Sequence, residues 1–406
     1  MTPLPAPELE PAAFAGPIGD WVLEASPLTE ADPAALLLSA LVAFGVAAGP
    51  DRVMMAANRP QGTRLFAMLV GDSAKSNRGL SWTVTRDLLA AIDPGLARRR
   101  VLQGLGNGRP LLDALASPKY GPAEERLLVF EPGVTHALRV AGRARSPLAW
   151  ALRNAWDGAP IERPPGSRPL MVERYHVGVI AHATIDQLRP QLSLSDASAS
   201  LVNRFVYAVI RRRKVIADEG NVPPEIVLRH GSRLARAAIA ARGPAETMRR
   251  TPSADRRWRS IYEELAEDDP DGLLGIALAR SARHVLRLSL VYALAEEQRQ
   301  VGSSHVEAAL AVWRYARASA VQIFTERRAE ETTERLLTAL RAAGGEGLTL
   351  TEQTALFGRN VPAARIAAAR ETLERSGLAV TAPRRRRGSG RVPLVTQIVS
   401  DLESSG

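Results

Sequence analysis

Four uninterrupted apolar runs stand out in the first half of the chain. Leu65–Val70 ends in Gly71, Leu127–Phe130 ends in Glu131, Val177–Ala181 leads into His182 and Thr184, and Phe205–Ile210 follows Asn203-Arg204. Apolar residues without alternation indicate strands covered on both faces, which is how buried parallel sheets read in sequence. Segments of helical length separate these runs, so the pattern predicts an α/β core with crossover connections. Ala34–Ala48 is also apolar, interrupted by Ser39, and Asp32-Pro33 supplies an N-cap and a first helical residue. The stretch is too short to span a bilayer and is expected to be a buried helix.

The strand pattern fades after Arg213, and Val222-Pro223-Pro224 marks a change of region. From Asp255 to Phe324 the spacing is helical: Trp258, Ile261, Tyr262 and Leu265 share one face, and Val285, Leu286, Leu288, Leu290 and Val291 fill a largely buried helix. A charged stretch, Glu326 to Glu334, then reads as a connection to a last unit. There Leu336, Leu337 and Leu340 predict one helix, Thr349 to Leu356 a second, and Pro362 opens a third. Leu378–Thr381 and Val392–Val395 read as two strands joined by a tip holding Arg384, Arg385, Arg386, Arg387 and Arg391. Helix-turn-helix followed by a basic wing is the economical reading, with Arg365, Arg370 and Arg375 of the third helix offered to DNA. A solvated helix with a basic loop is the plainer alternative. The expected organisation is a flexible segment 1–16, a core 17–225, a helical domain 226–330 and a winged helix 331–406.

Composition narrows the chemistry. Among 406 residues there is no cysteine, which excludes disulfides, thiolate-bound zinc, iron–sulfur clusters and a thiol nucleophile. This usage fits a cytoplasmic protein, and the Pro- and Ala-rich start lacks the basic region of a signal peptide. A formal charge of +10 favours a polyanionic partner such as DNA. Of the 53 basic residues, Lys75, Lys119 and Lys214 are the only lysines, so no single arginine is informative by itself.

The run from Gly71 through Asp72, Ser73, Ala74, Lys75, Ser76, Asn77 and Arg78 to Gly79 lies between a strand and a helix. That is the setting of a phosphate-cradling loop, where backbone amides at a helix N-terminus face an anion. Two registers are open. Lys75-Ser76 can serve with Ala74 in place of a glycine, or Arg78 can stand where lysine is usual, with Leu80 in place of the magnesium-binding hydroxyl. Glu131 follows its apolar run as a Walker-B acid would, for magnesium or water. Arg204 fits an arginine finger, or equally a salt bridge or DNA contact, and His182 and Thr184 sit where a phosphate sensor would.

Thr29-Glu30-Ala31-Asp32-Pro33, Val70-Gly71-Asp72-Ser73, Ala155-Trp156-Asp157-Gly158, His182-Ala183-Thr184 and Val202-Asn203-Arg204-Phe205 occur in the order seen in one family, as do Ala279–Leu294 and His305–Trp313. By these residues the chain resembles the helicase-like P-loop ATPases associated with bifunctional DNA primase/polymerases of actinobacteria, plasmids and phages. The resemblance implies a RecA-like core, ATP and Mg2+ as ligands, DNA as substrate, and assembly into homo-oligomers beside a primase/polymerase or an intact ATPase paralogue. The departures fall where chemistry would sit. Relatives carry Arg-Lys-Gly-Thr against Asn77-Arg78-Gly79-Leu80, Gly-Glu-Gly-Leu against Gly108-Arg109-Pro110-Leu111, and an acid at Gly133. Three functions follow as expectations: a DNA-binding assembly component with a degenerate nucleotide site, an active DNA-dependent motor, or a winged-helix transcriptional regulator. No metal site is expected from side chains alone.

Overall fold

All four apolar runs enter one five-stranded parallel sheet: β1 (Phe66–Gly71), β2 (Val101–Gln103), β3 (Arg126–Glu131), β4 (His176–Thr184) and β5 (Phe205–Ile210). The computed structural model describes residues 7–71, 76–116, 125–143, 146–162, 171–188, 191, 201–266, 272–358, 361–383 and 394–399. Of the expected site residues, Asp72, Ser73, Lys75, Arg384, Arg385, Arg386, Arg387 and Arg391 lie outside the described residues. The chain divides into two compact units, Ala6–Val321 and Gln322–Gly406.

Every residue of β1, β3 and β5 is buried, as continuous apolar runs require. The edge strand β2 is only partly buried and too short to leave an apolar run in the sequence. Across the sheet the order is β2-β3-β4-β1-β5. The connection leaving β1 thus runs to the far edge, whereas the connection leaving β4 passes over β1 to β5. Right-handed crossovers place these two connections on opposite faces. A crevice opens where they diverge, beyond the C-terminal ends of β1 and β4, and ligands of open α/β sheets bind in such crevices.

The apolar helix Pro33–Ala48 packs across β4, β1, β3 and β5, with Asp32 capping it through Ala34 N–H at 2.8 Å. It comes so close that a Cβ on Gly178 of β4 would lie 2.5 Å from Val46 Cγ2. The helices Arg78–Ile92 and Pro224–Ala241 pack against it and each other. Residues expected to be flexible are ordered here: Pro11–Phe14 forms a 3-10 turn, Ala13 is buried, and Tyr292 Oη donates to its carbonyl at 2.5 Å.

The helical region after Pro224 is not a separate domain. It shares the unit Ala6–Val321 with the sheet, and a buried arginine cluster at the N-terminal edge of the sheet joins the two. Arg287 is 1% exposed. Its guanidinium lies 3.6 Å from the Trp156 ring and donates to Gln61 Oε1, to the Arg64 carbonyl at 2.9 Å and to the Trp156 carbonyl at 3.0 Å. His284 bonds the Asn203 carbonyl at 3.0 Å and stacks on Trp313. Four segments singled out in the sequence, those of Trp156, Asn203, His284–Arg287 and Trp313, therefore meet in one structural lock.

In the unit Gln322–Gly406 three short strands form an antiparallel sheet in the order Leu348–Thr349, Leu394–Ile398, Ala379–Pro383. Leu336, Leu340, Phe357, Ile366, Leu373 and Ile398 build its core. Gln353 Nε2 bonds Thr396 Oγ1 at 2.8 Å inside it. A capping box between Thr349 and Glu352 starts the helix Leu350–Leu356. The charged stretch expected as a connection is helical instead: one helix runs from Ser303 to Ala343. Among the described residues no helix is long and apolar enough to cross a membrane.

Candidate functional site

The crevice at the C-terminal edge gathers most of the expected nucleotide residues. Gly71 ends β1 directly opposite Thr184 of β4, and Glu131 ends β3 beside Ala181. Glycine is required at 71 because Ser76 folds back over the strand end: a Cβ there would lie 2.1 Å from Ser76 Oγ and 3.1 Å from Arg78 Cδ. Asn77 then turns the chain with φ 47°, a left-handed conformation that asparagine tolerates, and the helix Arg78–Ile92 begins. Its first turn holds no acidic residue and no side-chain cap. Gly79 is exposed with open space around it.

Arg78 is half-buried, and its side chain makes no hydrogen bond or ion pair with any described residue. Its Nη1 is buried without a partner. Burial pulls its pKa below the ordinary arginine value. Near it, His182 is buried with its ring edge-on to Phe130 at 5.1 Å, and Phe130 stacks on Trp82 at 4.4 Å. Burial, with a smaller contribution from the Arg78 charge, lowers the His182 pKa to about 3, so the imidazole is neutral. Its Nε2 has no partner. Among the described residues, a guanidinium without an ion pair, a ring nitrogen without a partner and a helix N-terminus without a side-chain cap make a local environment that stabilises an anion.

The catalytic-type residues are differently disposed. Both carboxylate oxygens of Glu131 are occupied, one by Leu105 N–H at 2.7 Å and the other by Gly133 N–H at 3.2 Å. The acid thereby pins the loop Gly104–Gly108, whose three glycines all have positive φ. Thr184 Oγ1 accepts from Gln187 N–H at 3.2 Å and starts a short helix. Arg204 is at the other end of the sheet. It precedes β5, about 20 Å along the strand from the level of Gly71. It is 4% exposed and bonds Asp157 at 2.6 Å. Within one chain the finger reading therefore gives way to the salt-bridge reading. Among the described residues no group of three His, Asp or Glu could hold a metal ion.

Sequence reasoning missed the two buried acids that shape this crevice. Glu30 accepts from Asn77 Nδ2 and from Ile216 N–H, both at 2.7 Å, and Asp32 accepts from Arg211 N–H at 2.9 Å. They tie the start of the Arg78–Ile92 helix to the chain leaving β5. The signal was two carboxylates inside the run Thr29–Ala35, where only the N-cap was evident.

In the helix Ala363–Arg375, the expected DNA-binding arginines do not share a face. Successive members are about 140° apart around the axis, and Arg365 and Arg375 about 80°. Ile366, Ala369 and Leu373 point to the core. Arg365 and Arg370 are half-buried at its margins, the latter 3.9 Å from Glu374, and Arg375 alone is fully exposed. Ala364, Glu371 and Thr372 make up much of the outer face with it. No family model matches the chain, and comparison with curated proteins finds no match.

Proposed function

We propose that the chain is a DNA-binding component of a replication or mobile-element system. On this reading a RecA-like P-loop core holds a phosphate-bearing ligand without hydrolysing it, and the C-terminal unit is a winged helix. The observation that carries the nucleotide reading is the pairing of an unneutralised Arg78 at a helix N-terminus with a Glu131 whose carboxylate is already engaged by two backbone amides. The strand order, with the loop strand between β4 and β5, supports the RecA-like assignment. Arg78, His182 and the amides of the helix fit the phosphates of ATP. For Mg2+, Leu80 has no ligand atom, while Glu131 and Thr184 accept backbone N–H groups but keep lone pairs, and Ser76 keeps a hydroxyl at the end of β1. Turnover in such a system then belongs to an intact ATPase paralogue, with this chain contributing to an oligomeric assembly on DNA.

The strand order of the three-stranded sheet, with the last strand between the other two, supports the winged-helix reading, as does the arginine-rich sequence at the hairpin tip. The test is ATP binding and hydrolysis by the purified chain, with and without single- and double-stranded DNA, beside an Arg78→Lys, Leu80→Thr variant. Nucleotide binding without turnover is expected. DNA-stimulated hydrolysis by the unmodified chain would replace this reading with that of an active motor.

A further inference from the structure

A second site lies at the opposite end of the sheet. The helix Pro252–Ala266 buries Ile261 and Leu265 but leaves Tyr262 49% exposed, although the sequence places all three on one face. Trp258, half-buried, lies 6.1 Å from Tyr262, and Arg250 sits 4.9 Å over its ring, held by Asp255 at 2.6 Å. These aromatics border an open cavity of about 670 Å3, closed on other sides by Met55, Arg280 and Arg283. That volume is within the range of small-ligand sites. Three guanidiniums line the cavity, and among the described residues that line it there is no carboxylate. Arg280 donates to Asn203 Oδ1 at 2.9 Å and is paired with Asp157 at 3.7 Å, whereas Arg283 makes no hydrogen bond or ion pair with any described residue.

We propose that this cavity binds single-stranded nucleic acid, with an unpaired base against Tyr262 and Trp258 and the adjoining phosphate on Arg283. Exposed rings beside cations are what an unstacked nucleotide requires: the base offers a flat apolar face, and the phosphate a charge a few ångströms away. Arg250 and Arg280 are braced by Asp255 and Asn203, so their guanidiniums are already oriented before a strand arrives. A duplex cannot use the rings, because its bases are stacked inside. The site rests on the DNA-handling reading only for the nature of the polymer, and it shares no residue with the Arg78 crevice or with the arginines at 384–387.

The experiment measures fluorescence anisotropy of a labelled oligothymidylate of about fifteen nucleotides, a length typical of single-strand sites, against the full chain. Tyr262→Ala and Arg283→Ala should each weaken single-strand binding at least ~fivefold, the lower end of what removing one stacked base costs. Tyr262→Phe should bind as the unmodified chain does, and duplex affinity should be the same in every variant. Absence of single-strand binding, unchanged affinity in both alanine variants, or equal losses on duplex and single strand would each overturn the proposal. Displacement of the oligonucleotide by micromolar thymidine monophosphate would assign the cavity to free nucleotides and overturn it as well. Loss of duplex binding alone, on replacing Arg384–Arg387, reports on the wing and leaves this outcome readable.

Discussion

Replacing Glu131 with alanine would strip two backbone N–H groups of their acceptor, those of Leu105 and Gly133. Leu105 is buried whereas Gly133 is exposed and can turn to water, and one unsatisfied buried donor costs about 1–3 kcal/mol, so denaturant melts should show a loss of that order. A stable Glu131→Ala protein would contradict the clamp. The histidines give a second reading at this scale. Burial holds His182 and His284 at a pKa of about 3 and His176 well below its ordinary value, so all three are neutral in the fold. In the unfolded chain they take up protons near pH 6.5, roughly. Their contribution to stability is therefore complete above that pH and is lost as pH falls toward 3, at up to ~1.4 kcal/mol per pH unit for each. Urea midpoints at neutral and mildly acidic pH should show the decline, and His182→Gln should make it shallower. An unaltered slope would mean that His182 is not held neutral.

Among the elements, strands were the most legible because β1, β3, β4 and β5 are covered on both faces, and burial on two sides leaves no polar position to blur the run. The edge strand β2 left no such run. Polarity misled in the other direction between Glu326 and Glu334, where Glu, Arg and Ala look like a connection yet are all good helix formers. The candidate crevice was half legible. Gly71, Ser76, Arg78, His182 and Thr184 were expected together and do meet, but the state of Glu131 depends on a loop some twenty-five residues earlier in the chain, as a rough count along the sequence, and only tertiary structure brings the two together. The arginine lock shows the same limit. Its members come from five separate segments, around Gln61, Trp156, Asn203, Arg287 and Trp313, so removing Arg287 should unseat several at once. Arg287→Ala leaves Gln61 and two carbonyls without donors and empties the space over Trp156, and should cost on the order of 3 kcal/mol in thermal or chemical unfolding. An effect near zero would mean that the lock is ornamental to the fold.

At the scale of the whole molecule, excess positive charge is the property most open to measurement. If the hairpin tip pairs with phosphates, changing Arg384–Arg387 to alanine should weaken DNA binding similarly on all sequences. The salt dependence should flatten by about 0.9 in slope for each phosphate left unneutralised. An unchanged slope would remove the tip from the interface, and a strong preference for one site would favour a regulator. The Glu131 clamp also bears on what a changed loop could do. The double change Arg78→Lys, Leu80→Thr would supply the usual cation and a hydroxyl, but the carboxylate would still be bound to Leu105 and Gly133. Each of those bonds now supports the loop, so any change that draws the acid away would leave the Leu105 N–H without its acceptor. The clamp therefore sets a trade: freedom of this carboxylate and order of the Gly104–Gly108 loop cannot both be had.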